Sequence, residues 1–198
     1  MGHFRMWLTK LYFLDMTYVA LLRGINVGGK SKIEMARLKI TFEDLGFENV
    51  KTFINSGNVI FTDITTNSKK LVGQIEQGIE KNFGLSIKVV LRDLPAIKKT
   101  VEALPSTWVN DASMKCDVMF LWEDVDTPDV MKQLPQIHSD FEEIKYIPGA
   151  ILWRVDRQYA SKSKMLKINS TDLYKKMTIR NCNSVRKIYA LMQAANLD

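Results

Sequence analysis

Apolar positions along this chain alternate between short unbroken runs and runs spaced by three or four residues. Residues 17–22, apolar from Tyr18 onward, read as a buried strand. A glycine-rich loop follows, and Met35, Leu38, Phe42 and Leu45 then recur at helical spacing before Gly46, a natural helix stop. Residues 50–54 and 59–62 read as two strands joined by the turn signal Asn55-Ser-Gly-Asn58, which makes them a hairpin. Asn67 or Ser68 caps a helix that runs to Phe83, with Leu71, Ile75 and Ile79 on one face and Gly84 at its end. Residues 87–91 are a fourth strand. The order β-α-β-β-α-β is that of a ferredoxin-like sandwich.

The second half reads as a related unit. Residues 94–104 predict a helix, and the polar, irregular stretch 105–116 reads as a linker. An apolar strand over 117–122 and a short helix over 128–134 follow. A second hairpin, 141–147 with 150–155, turns at Pro148-Gly149. Helical stretches at 162–168 and from Asn181 or Asn183 to Ala195 close the chain. The pattern is β-α-β-β-α with extra C-terminal helices and no final strand. The expected fold is therefore α+β, with two α/β-sandwich subdomains at 16–104 and 117–198. Residues 1–15 are basic and partly apolar, but too short in apolar run for a signal peptide. They read as an extension ahead of a domain that starts at Met16.

Composition narrows the function classes. Apolar residues at 46% and charged residues at 25% fit a packed core. No apolar run approaches the ~20 residues of a membrane helix, so no membrane partner is expected. Two distant cysteines, Cys116 and Cys182, and two histidines offer no metal spacing and no disulfide framework. No metal or other cofactor is expected, and a reducing, cytoplasmic setting fits best. The sequence sets no oligomeric state.

The net charge of +6 is unevenly spread. Residues 18–39 hold five Lys or Arg against one acid, and residues 157–197 hold nine against one. Between them, residues 117–145 hold eight acids against two lysines. If the basic ends meet, they make one positive face for an anionic partner; if not, they are solvated surfaces.

The chemistry concentrates in Tyr18-Val-Ala-Leu-Leu-Arg-Gly-Ile-Asn-Val-Gly-Gly-Lys30. A glycine-rich loop after a strand can turn several backbone amides toward one point, and Arg23 and Lys30 add positive charge there. Gly24, Asn26, Gly28, Gly29 and Lys30 thus form a candidate phosphate site. Gly24 to Ser31 also matches the letters of a P-loop. The four-residue turn between the next two strands forces them antiparallel, which excludes the parallel sheet of P-loop proteins.

Further candidates are more ambiguous. Ser56, Gly57 and Asn58 at the hairpin tip are either ligand contacts or ordinary turn chemistry. Thr178, Asn181 or Asn183 can cap the last helix. Arg180 near a helix N-terminus is electrostatically unfavourable without an anion, which points to a second anion contact. Ser161 and Lys164 have the spacing of a penicillin-binding nucleophile but lack its partner strand, leaving Lys164 as a phosphate contact on a basic helix. Asp117, Glu123, Asp124 and Asp126 read as solvated carboxylates. Trp122 and Trp153 fall in apolar strands and read as core. The aromatic signature of RNA-recognition domains is absent.

Residues 18–30, then Met35 and Leu38, Leu45-Gly-Phe47, and Val50-Lys-Thr-Phe-Ile-Asn-Ser-Gly-Asn-Val-Ile-Phe61 closely resemble DUF1697, a bacterial family of uncharacterised proteins. Residues 174–188, from Tyr174 to Ile188, look like that family's closing motif. The resemblance covers Met16 to the C-terminus. It implies an α+β fold of two subdomains and no catalytic assignment. It also implies an aromatic, typically Trp, where this chain has Cys182, so no ring is available for stacking there. The expected function is binding of a phosphorylated small molecule or other anion in the cationic loop. The alternatives are an enzyme of unknown reaction using the same pocket, and a face that binds a nucleic-acid backbone.

Overall fold

The computed structural model describes residues 15–29 and 31–196. The extension read over residues 1–15 lies almost wholly outside them, as does Lys30. Two four-stranded antiparallel sheets make up the α+β fold. The first half runs β1 (Met16–Leu22), α1 (Met35–Asp44), β2 (Glu48–Phe53), β3 (Asn58–Asp63), α2 (Ser68–Phe83), β4 (Val89–Asp93) and α3 (Leu94–Ala103). Its sheet has the order β2-β3-β1-β4, with Ala20 opposite Val59 on one side and Leu91 on the other.

The second half holds β5 (Met114–Leu121), β6 (Glu142–Ile147), β7 (Ala150–Asp156), β8 (Met177–Asn181) and α4 (Cys182–Ala195). Its sheet order, β6-β7-β5-β8, repeats the first. Three expectations need correction. Strand β8 supplies the edge that the apolar pattern did not reveal, because its run is only five residues and includes Thr178, Arg180 and Asn181. The expected helices over 128–134 and 162–168 are 3-10 turns, Pro128–Gln133, Arg157–Lys162 and Lys164–Ser170. The first strand of this half begins at Met114, inside the stretch read as linker.

Helix ends follow local chemistry. Asn67 Oδ1 accepts from the Lys70 amide at 3.1 Å, Asp93 from Ala96 at 2.8 Å, and Asn181 from Ser184 at 2.9 Å. Gly84 ends α2 at φ 66°. Helix α1 differs: Glu34 occupies its N-cap position without a side-chain bond.

Strand alternation divides the molecule into layers. Tyr18, Ala20 and Leu22 of β1 face one way, with Leu38 and Phe42 of α1 and Leu71, Ile75 and Ile79 of α2. Val19 and Leu21 face the other way, onto Ile97 of α3 and Val185, Ile188 and Met192 of α4. The same apolar layer includes Val118 and Phe120 of β5, so α3 and α4 lie between the two sheets. The far face of the second sheet packs Met119, Ile151 and Trp153 against Met165, Ile168 and Leu173 from the 3-10 turns. The two halves therefore share one hydrophobic layer.

Ile188 is 1% exposed within that layer. Truncating it leaves a cavity that neither sheet can close alone. Ile188→Ala is expected to lower stability by ~2–5 kcal/mol, read from urea midpoints, with both halves still unfolding in one transition. Two separate transitions would contradict a shared layer.

Candidate functional site

Arg23 of the opening motif and Arg180 of the closing motif do meet at one seam, but both donate to protein oxygens there. Arg180 points from β8 toward the first half and is 6% exposed. Its Nε donates to Asn58 Oδ1 at 2.6 Å. One terminal nitrogen donates to Thr178 Oγ1 at 2.9 Å and to the Ile179 carbonyl at 2.8 Å. The other donates to the carbonyls of Leu22, Ser56 and Gly57 at 2.8, 2.9 and 3.2 Å. All five N–H donors of a guanidinium are thereby engaged by neutral oxygens. Burial lowers the Arg180 pKa to about 10, so the group keeps its charge at neutral pH. The anion contact expected of Arg180 from its place beside the last helix has no donor left to make it.

Two further arginines do the same at the same seam. Arg23, half-buried, donates to the carbonyls of Met177 and Tyr174 at 3.1 Å each and lies over the Tyr174 ring at 5.1 Å. Arg92 donates to the Leu121 and Gly149 carbonyls at 2.7 and 2.9 Å. No ion pair among the described residues involves Arg23, Arg92 or Arg180. Carbonyl oxygens carry enough partial negative charge to hold a buried guanidinium when every donor finds one.

The remaining expected residues divide between scaffold and surface. Asn26, at φ 56°, donates to the carbonyls of Ile33 and Asn55 at 2.9 Å and accepts from the Ile33 amide at 2.8 Å. It closes the glycine loop and ties it to the hairpin. Asn58 is wholly buried and donates to the Phe53 carbonyl and Ser56 Oγ. Gly57 at φ 75° touches Leu22 and Ile25 so closely that a Cβ would lie 2.7 Å from Ile25. Thr178 is buried at the seam, and Asn181 caps α4. Lys164 stands exposed on a 3-10 turn of the second half, and Lys30 lies outside the described residues.

What stays open is the loop itself. Gly24, Gly28 and Gly29 have φ of 69°, 59° and 75°, and nothing lies within 4 Å of where their Cβ atoms would be. A cleft of about 600 Å³ lies beside them, lined by Asn26, Gly29, Lys32, Ile33, Glu34, Met35 and Asn55. It therefore opens on the uncapped N-terminus of α1, whose first-turn amides lack a side-chain acceptor. Lys32 is exposed and makes no ion pair among the described residues; Glu34 is the one acid on the lining. Beside Asn55, Ile54 holds φ 49°, a costly conformation for a β-branched residue. Sequence reasoning missed Lys32 and the α1 terminus because the apolar spacing marks the buried face of the helix, not the free amides at its start.

A second cleft, of about 550 Å³, lies between α2, the edge strand β4 and residues 121–124. Its charges are largely spent: Lys69 pairs with Glu123 at 3.3 Å and Lys88 with Glu76 at 2.7 Å. The carboxylates singled out in the acidic middle also have separate partners. Asp117 pairs with Lys115 and Asp124 with Lys176, each at 2.6 Å, while Asp126 accepts from Tyr146 and the Gly149 amide. No His, Cys, Asp or Glu group among the described residues could hold a metal ion. No described helix is long and apolar enough to cross a membrane.

Residues 16–152 match the family described as "Protein of unknown function (DUF1697)", and the chain belongs to that family. The solved structure of a conserved bacterial protein, SP0830 from Streptococcus pneumoniae, is similar at 29% identity and a TM-score of 0.78. The match covers 90% of this chain and 99% of that one. No curated protein matches.

Removing the Arg180 guanidinium orphans buried oxygens on both halves. Arg180→Met is expected to cost roughly 3–5 kcal/mol in chemical denaturation. Arg180→Lys should not restore it, because three ammonium donors on one point cannot span the acceptors. A loss below about 1 kcal/mol in Arg180→Met would show that the contacts contribute little.

Proposed function

We propose that this member of the DUF1697 family binds a phosphorylated small molecule, or another compact anion, between the glycine-rich loop and the start of α1. The observation that supports this most is the uncapped α1 terminus opening on the cleft of about 600 Å³. Helix N-termini place free amides and a partial positive charge at one point, which favours an anion. Lys32, on the lining and without an ion pair among the described residues, supplies a full charge. Positive φ at Gly28 and Gly29 lets the loop amides turn toward a guest without side chains in the way.

The guanidinium groups of Arg23 and Arg180 take no part in this reading, since the seam consumes them. The site is thus smaller and less cationic than the sequence alone implies. Binding without chemistry is the reading we favour: no nucleophile and base stand within reach of each other on the lining. The setting we infer is the cytoplasm, consistent with two free cysteines.

Thermal-shift titration with inorganic phosphate, pyrophosphate, nucleotides and sugar phosphates tests the proposal. At a ligand concentration 100 times Kd, stabilisation of about 2.7 kcal/mol is expected. Lys32→Glu should abolish the shift, and Lys164→Glu, outside the cleft, should leave it intact. An unchanged melting temperature with every one of these anions would overturn the reading.

A further inference from the structure

Cys116 and Cys182 are 66 residues apart in sequence, and the second sheet brings them into one buried cluster. In the antiparallel pairing of β5 with β8, Val118 lies opposite Arg180 and Asp117 opposite Asn181. Cys116 and Cys182 each follow directly beyond that end pair, Cys182 being the residue at which β8 gives way to α4, and both pack in the same buried layer. A disulfide spans Cα atoms ~4.4–6.8 Å apart, a reach that suits two residues flanking the same paired antiparallel step. The two thiols are wholly buried, free, and members of one packed cluster.

Their surroundings favour one as attacking sulfur. Cys182 is the first residue of a 14-residue helix, where the amide dipoles stabilise a thiolate. Arg186 lies one turn on, with its guanidinium on the Trp108 carbonyl at 2.7 Å, the same carbonyl that Cys182 Sγ meets at 3.5 Å. The Cys182 pKa is lowered to about 7, chiefly by the Cys116 hydrogen bond and further by Arg186, against the effect of burial. Cys116 has the opposite bias: its hydrogen bond to Cys182 and its burial both push it up. A thiol that ionises more readily beside one that keeps its proton is the arrangement of an oxidisable pair.

We propose that Cys116 and Cys182 are a redox modification site, converted by hydrogen peroxide into a disulfide that ties β5 to the start of α4. In the first step the Cys182 thiolate attacks one peroxide oxygen. The O–O bond breaks, and hydroxide leaves and takes up the proton lost by the thiol, giving Cys182 sulfenic acid and water. In the second step the Cys116 sulfur attacks the sulfenic sulfur. The S–O bond breaks, and the departing hydroxide takes the Cys116 proton as a second water. Two thiols and one peroxide become one disulfide and two waters; sulfur is oxidised and peroxide oxygen reduced. Burial disfavours reaction with another molecule's thiol and leaves the neighbouring cysteine as partner. The new bond would close the same ladder that carries Arg180, two residues upstream of Cys182.

The test uses the full native chain, treated with hydrogen peroxide and then alkylated under denaturing conditions. Both thiols should be lost together, with a Cys116–Cys182 linked peptide in the digest that dithiothreitol reverses. The oxidised protein should melt at a higher temperature than the reduced one. In Cys116→Ser, Cys182 should stop at a dimedone-reactive sulfenic acid. The proposal is overturned if both thiols remain alkylatable in the treated wild type. It is equally overturned if oxidation yields only cross-linked dimers or separate sulfinic acids.

Discussion

The architecture turns on a guanidinium buried among neutral oxygens. Arg180 leaves β8 and binds the end of β1, the tip of the β2–β3 hairpin and its own strand. A buried charge normally needs a counter-charge, because desolvation disfavours it by several kcal/mol. Here acceptors from two sheets replace the lost water donor by donor. The arrangement works only if both halves are in place, since neither alone presents enough oxygens. Arg23 and Arg92 extend the same principle along the seam, each reaching carbonyls of the other half. Arginine suits this role through its planar fork of five donors.

That constraint also bears on where the proposed anion could go. With the arginines occupied, the hairpin tip becomes scaffold: Asn58 and Ser56 hold each other and receive Arg180. Asn26 then hangs the glycine loop on the hairpin through the Asn55 carbonyl. The loop is thus fixed at its base while its glycines stay open. The free amides at the start of α1 lie beside it. Rigidity below and vacancy above is what a small-anion site requires, because binding energy is then not consumed in ordering the loop.

The sequence disclosed the first half almost completely. Alternating faces on β1, the 3.6-residue repeat of α2 and the Asn-x-Gly-Asn turn each have one strong local cause. Strand β8 escaped because a buried arginine and two polar neighbours look like a loop when their partners are unseen. The candidate site was legible as composition but not as geometry. Positive charge and glycine at the opening motif were evident; that Arg23 would turn away to Tyr174 and Met177 was not, because those partners are more than 150 residues distant. The scaffold contacts of Ser56, Gly57 and Asn58 with Arg180 were hidden for the same reason. The cysteine pair shows the converse: two residues dismissed for their separation follow directly on the two ends of one strand pair and share a buried cluster.

The division of labour between seam and loop can be read directly from nitrogen-bound protons. In an NMR titration with inorganic phosphate, the account predicts shifts at the backbone amides of Gly28, Gly29, Met35 and Ala36, with the Arg180 Nε proton unmoved and slow to exchange throughout. A phosphate-dependent shift at Arg180 Nε with silent loop amides would contradict it, since the buried guanidinium would then be the anion's partner and not the bolt between the sheets.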